Sequence, residues 1–310
     1  MFGLITSSCN IDKVITTEPT PDEERNNYRP ATLESCTEWS CVYAYTPAPG
    51  QFIGELKTGG FDGSERTPEA AVEYAERRLE SGLWVSLGGF GGYLVVGFDH
   101  SVENAEGYDL AVASNAFDGS SEPAVVWVMQ DENGNGLPDD VWYELAGSET
   151  GKSETIQSYA VTYYRPTEAQ QPVLWTDSEG QSGQVDYLKT FHNQACYYPQ
   201  WVEADSYTLT GTRLEARNYD QSGNGTYWFN AHYDWGYADN FSPTDFVSEG
   251  SENLFDIANA IDPKGAFVQL THIDFVKIQC AVNAKSGWLG ELSTEVCGVS
   301  DYGLRLRRTL

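Results

Sequence analysis

Three oxygen-bearing side chains stand at every second position of one short stretch: Asp131, Asn133 and Asn135. This alternation lets a tight loop turn all three onto one hard cation, and Gly134 and Gly136 permit the φ > 0 turns such a path needs. Leu137 falls where a twelve-residue calcium loop offers a backbone carbonyl, and Asp139 where such a loop coordinates, often through water. The twelfth position calls for a bidentate Glu but holds Trp142, so Asp140 or Glu144 has to stand in. A plain Asn-Gly turn would select the same residue types. It would not crowd Asp131, Glu132, Asp139 and Asp140 together, because like charges repel without a counter-ion. One structural calcium ion is therefore expected, with Asp131, Asn133, Asn135, Leu137, Asp139, Asp140 and Glu144 as candidate ligands.

The elements that must hold this loop are strands. Residues 125–129 (VVWVM) form a continuous apolar run of the kind buried on both faces, and 141–145 resumes in the same style, so the loop joins a hairpin. Further strands are expected at 93–98, 108–114, 159–164, 207–214, 227–233 and 266–282, separated by Gly, Asn, Asp and Pro. One helix is expected over 67–81. Thr67 caps it, Pro68 takes its first turn, and Ala71, Tyr74, Ala75, Arg78 and Leu79 recur at three-four spacing to face a sheet. The GGFGG run at 88–92 lacks the Gly-Lys-Ser/Thr ending of a phosphate loop and reads as a turn or bulge. Residues 286–304 have no local assignment. The fold class that follows is mainly β, a jelly-roll-like β-sandwich with one packing helix.

Composition bounds the partners. The 310 residues are 40% apolar and 13% aromatic, enough for a sizeable core, and the net charge of −28 argues against nucleic acid and for a neutral or cationic ligand. No segment is long and apolar enough to span a membrane. The start, MFGLITSSC, resembles the end of a bacterial lipoprotein signal, with Cys9 as the lipid-bearing residue. On that reading 1–9 are a signal remnant, 10–42 a tether whose stretch 15–30 is acidic and proline-punctuated, and 43–310 a single large domain. In an exported protein Cys36 and Cys41 are expected to close a small disulfide loop, and Cys280 with Cys297 is a candidate second pair. The four histidines are scattered and suggest no zinc site.

No catalytic motif is present: there is no G-x-S-x-G elbow and no HExxH, so the chain is not expected to be an enzyme. Glycoside hydrolysis is the weaker alternative, since among 46 acidic residues some pair falls at a suitable separation by chance. Aromatics clustered in loop-like sequence point instead to ligand binding: Trp175; Tyr197, Tyr198 and Trp201; Trp228, Tyr233, Trp235 and Tyr237. Flat rings suit the faces of sugars or the apolar parts of a macrocycle. Trp127 and Trp142 read as core.

Several segments together resemble one family: YTPAPGQF, SLGGFGGYLVVGFDHSV, VVWVMQDENGNGLPDDVWYELAGSE, VTYYRP, HNQACYYPQW, DWGYADN, FDIANAID, IDFVKIQCAVN and GWLGELSTEV. They are similar to Bacteroidetes cell-surface lipoproteins found beside TonB-dependent outer-membrane receptors. The resemblance covers residues 43–299, and the ten-residue calcium-type loop separately resembles loops common in bacterial exported proteins. It implies a lipid-anchored protein on the outer-membrane surface that captures a nutrient for such a receptor, with a corrinoid (vitamin B12) as one candidate ligand. A glycan binder or an adhesive, structural accessory protein is the alternative. The chain departs from the family pattern at Cys196, Cys280 and Cys297.

Overall fold

The computed structural model describes residues 27–58 and 61–309. Its centre is a six-stranded antiparallel sheet in the order β1 (Cys41–Thr46), β3 (Tyr93–Glu103), β16 (His272–Cys280), β5 (Ala124–Met129), β6 (Tyr143–Leu145) and β15 (Ala260–Ile261). Val125, Val126, Val128 and Met129 are fully enclosed, so β5 is buried on both faces as its unbroken apolar run requires. A second antiparallel sheet has the order β13 (Phe246–Val247), β14 (Glu252–Phe255), β4 (Leu110–Ala113) and β18 (Gly298–Asp301). Its Leu110, Val112, Phe255 and Val299 share one buried cluster with Val96, Val126, Val128 and Val276 of the central sheet. That shared core makes the sandwich.

The third sheet, β10 (Ser206–Arg213), β7 (Ile156–Tyr164), β8 (Val173–Asp177) and β9 (Ser182–Val185), carries its own core of Tyr159, Val161, Tyr163, Val173, Val185 and Leu209. It is tied to the central sheet through Gln279, whose amide donates to the Gly91 and Thr210 carbonyls at 2.9 and 3.1 Å. Two short ladders complete the strands: β11 (Asn218–Asp220) with β12 (Trp228–Asn230), and β2 (Val85–Ser86) with β17 (Glu295–Val296).

Helix α1 (Pro68–Glu80) buries the five residues its periodicity selects, and the Thr67 hydroxyl accepts the Ala70 N–H at 3.2 Å as its cap. A second helix, α2 (Tyr302–Thr309), follows β18 and is additional to the one expected. Asp301 starts it by accepting the Leu304 N–H at 2.6 Å, and Arg307 and Arg308 lie in its last turn, where cations suit the dipole. The expected strand at 266–282 begins only at His272, because Asp262 accepts the N–H groups of Lys264 and Ala266 and turns the chain there. The strand expected at 227–233 shortens to Trp228–Asn230.

The GGFGG run is a turn. Gly88 has φ +68°, and a Cβ there would collide with the Ala48 carbonyl oxygen, so this turn fixes glycine by close approach as well as by conformation. Cys9 and the earlier part of the tether lie outside the described residues. From Asn27 onward the chain is held on the sheet: Arg29 pairs with the buried Asp274 at 3.0 Å, and the Tyr28 hydroxyl donates to Glu103 at 2.5 Å. The expected disulfides do not form, for Cys36, Cys41, Cys196, Cys280 and Cys297 are all free. Between Cys36 and Cys41 the backbone is drawn out by pairing of Glu38 with Ser300, Trp39 with Val299 and Ser40 with Gly97, which carries the two thiols apart.

Candidate functional site

The loop after β5 gathers most of its expected ligands. Asp131 accepts the N–H groups of Asn135 at 3.1 Å and Gly136 at 2.8 Å. The Asn133 amide donates to Asp139 at 2.9 Å and to Asp140 at 3.2 Å, and the Asn135 amide donates to both Asp139 oxygens at 3.2 and 3.0 Å. These two amides hold the Asp139 carboxyl below its ordinary pKa. Asn27 clips the loop from outside by donating to the carbonyls of Asp131 and Glu132. The Leu137 carbonyl is occupied by the Asp139 N–H at 2.9 Å.

Asp140 joins this group and Glu144 does not. Glu144 pairs across the sheet with Trp127, four residues before Asp131, which at about 3.4 Å per residue is roughly 14 Å of extended chain. Its buried carboxylate accepts the Thr212 hydroxyl, and burial raises its pKa to about 7. The donor set of the loop suits a hard cation. Exchanging O and N in the Asn133 and Asn135 amides would place two oxygens against Asp139, at the cost of the bonds their Oδ1 atoms now accept from Asn135 and Leu137.

The aromatic candidates are dispersed. Tyr197, Tyr198, Trp201, Tyr233 and Tyr237 are core residues, each no more than 4% exposed. Their polar ends are used internally: Tyr197 donates to the His192 carbonyl, Tyr198 to the Ala204 carbonyl, Tyr233 to the Glu215 carbonyl, and Tyr237 accepts the Glu149 N–H. Large rings whose hydroxyls find partners inside the fold are not free for a ligand. Trp228 is partly buried against Gly287. Trp235 lines a cavity of about 260 Å³ with Tyr108 and Asp245. Trp127 and Trp142 are only half-buried, and their rings flank the Lys277 ammonium at 4.5 and 5.2 Å, which accounts for their place on the sheet.

Trp175 is the candidate that reaches a polar pocket. Its ring packs on Gly183 and lines a cavity of about 250 Å³ together with Phe90, Tyr163, Asn283, Lys285 and Glu291. The GGFGG turn supplies Gly89 and Phe90, and the Tyr163 hydroxyl is fixed by donating to the Phe90 carbonyl at 2.9 Å. Lys285 pairs with Asp186 at the rim at 2.5 Å. Glu291 is buried; its Oε1 accepts the Gln51 N–H at 2.7 Å, while its Oε2 has no hydrogen-bond partner. Burial raises its pKa to about 8. Burial thus favours the neutral form of this carboxyl, which lies enclosed beside the pocket.

Sequence reasoning missed Glu291, Asn283 and the GGFGG contribution, although all three lie in segments that carry the family resemblance. A lone acid between Gly290 and Leu292 was the available signal. It also passed over Asp220, Ser222 and Asn224, which repeat the every-second-position spacing; Asp220 accepts the Gly225 N–H at 2.6 Å, as Asp131 does that of Gly136. Comparison with protein-family models and with curated proteins finds no match to this chain.

Proposed function

We propose that this chain is a binding protein that takes one ring of an uncharged nutrient ligand in the pocket lined by Trp175 and Glu291. The observation that carries the reading is the Glu291 carboxyl, buried at the pocket with one oxygen lacking a partner beside the half-buried Trp175 ring. An aromatic face and a neutral hydrogen-bonding group at one small cavity match a sugar ring, apolar on its face and hydroxylated at its edge. A cavity of about 250 Å³ is too small to enclose a corrinoid, which could reach it only through a peripheral group. The pocket thus favours a glycan over a corrinoid, the reverse of the order the family resemblance implies.

In the same reading a lipid on Cys9 anchors the chain at the outer-membrane surface, and the ligand passes to a TonB-dependent receptor; the signal-like start and the resemblance support this. The loop from Asp131 to Asp140 takes one structural calcium, supported by its ligand spacing and by the convergence of Asn133, Asn135 and Asp140 on one place. Tryptophan fluorescence of the purified protein, titrated with a panel of neutral mono- and oligosaccharides and with cobalamin, tests the ligand class. Saturable quenching by a sugar is expected. Quenching by cobalamin alone, or by neither, overturns the proposal.

A further inference from the structure

Glu122, Asp239 and Glu295 come from three distant parts of the chain, and each brings a carboxylate oxygen within 4.8 Å of the others. Glu122 precedes β5, Asp239 follows the Ala124 to Ala238 bridge, and Glu295 opens β17. Backbone bonds stitch them together. The Glu122 N–H donates to the Asp239 carbonyl at 2.9 Å, the Glu295 N–H to Asp239 Oδ2 at 2.9 Å, and the Thr294 hydroxyl to the Glu122 carbonyl at 2.7 Å.

Asp239 is completely enclosed and Glu295 is 3% exposed, yet Asp239 Oδ1 and Glu295 Oε1 meet no hydrogen-bond donor. Among the described residues no Lys, Arg or His forms an ion pair with any of the three. Asp239 Oδ2 takes the Glu295 N–H, but a buried carboxylate oxygen left without a donor or counter-charge is unfavourable, and a bound cation would relieve it. Without a cation, burial and mutual repulsion raise Glu122 to about 8 and drive Asp239 and Glu295 well above the usual carboxylate range. A shared proton would neutralise one group and still leave lone pairs empty; a metal ion fills several at once.

We propose that Glu122, Asp239 and Glu295 together bind one divalent cation through oxygen, calcium being a hard ion that an all-carboxylate donor set suits. Bound there, the ion joins β5 to β17, and so ties the start of the central strand to the segment that also carries Glu291.

The test is metal content. Protein stripped with chelator, reloaded with calcium and desalted is assayed by inductively coupled plasma mass spectrometry as wild type, Glu295→Gln, Glu122→Gln and Asp131→Ala. Each Gln variant is expected to hold one equivalent fewer than wild type, and Asp131→Ala to keep the equivalent of the trio. Terbium luminescence lifetimes in H₂O and D₂O, measured on Asp131→Ala with the trio intact, should show a water-poor bound ion, and this keeps the proposal decidable if a Gln variant fails to fold. Gln variants that bind as much calcium as wild type, or an Asp131→Ala protein with no water-poor terbium, overturn it.

Discussion

The loop at 131–140 and the segment at 291–295 both place carboxylates in demanding positions, but their surroundings differ. In the loop, Asp131 and Asp139 face donors only a few residues away, namely the backbone N–H groups of Asn135 and Gly136 and the side-chain amides of Asn133 and Asn135. Water reaches the rest, since Glu132, Asn133, Asn135 and Asp139 are exposed. In the other segment Glu291 and Glu295 are buried and each leaves one oxygen without a donor, while the acids grouped with Glu295, Glu122 and Asp239, come from elsewhere in the chain. A crowd of acids in sequence can satisfy itself locally. A lone acid buried among distant segments has only what the fold brings to it, so the shortage of donors, more than the number of acids, marks where a ligand belongs.

Calcium removal should separate the two regions most strongly. Each site lost removes roughly 2.7 kcal/mol when free calcium stood at about a hundred times the dissociation constant. Differential scanning calorimetry with and without chelator should show the full drop in wild type, and a smaller one in both Glu295→Gln and Asp131→Ala. A chelator response abolished by Asp131→Ala alone would assign all of it to the loop and break the contrast.

Acidity should move the two regions in opposite directions. Glu122 and Glu291 have folded pKa values of about 8 against an ordinary 4.5, so the folded form holds protons that the unfolded chain releases. Their contribution is fully present below about pH 4.5 and is lost as pH rises to about 8. Asp139 is lowered, so its contribution is present above the ordinary carboxylate pKa and is lost in stronger acid. The urea midpoint of metal-free protein should fall from pH 5 to pH 8, and Glu291→Gln should flatten that fall. A midpoint constant over this range would contradict the buried assignment.

Smaller effects sharpen the loop. Asp131→Ala in metal-free protein strands the Gly136 N–H and leaves that of Asn135 only the Asn133 Oδ1, so it should cost about 1 kcal/mol by urea denaturation, whereas Glu132→Ala should stay within about 0.5 kcal/mol. Smallest of all, reductant should leave the melting temperature unchanged, because Cys36 and Cys41 are free; a fall of several degrees would restore the disulfide.

What was legible in the sequence is what local physics decides. The cap at Thr67 and the buried face of α1, the double-sided burial of β5 and the turn at GGFGG all follow from spacing and residue type. The start of β16 and helix α2 were not legible as such, since Asp262 and Asp301 act by capping and neither interrupts a clear apolar period. Five of the eight aromatic candidates, Tyr197, Tyr198, Trp201, Tyr233 and Tyr237, are core residues, not legible as such for a different reason. Composition marks Tyr197, Tyr233 and Tyr237 as large rings in polar sequence, but only the fold shows that their hydroxyls are already used. The trio was invisible because Glu122, Asp239 and Glu295 are brought together by pairing among β2, β5, β17 and the bridge at Ala238, with no sequence spacing to read.

The proposed function rests on the pocket at Trp175, and isothermal titration calorimetry with the sugar that quenches best tests it most directly, comparing wild type, Trp175→Ala and Trp235→Ala. Trp175→Ala should weaken binding at least about tenfold, in keeping with one stacked ring worth roughly 1.4 kcal/mol, while Trp235→Ala, in the separate cavity beside Tyr108, should bind as wild type does. Full affinity in Trp175→Ala, or a loss confined to Trp235→Ala, would contradict the assignment of the site.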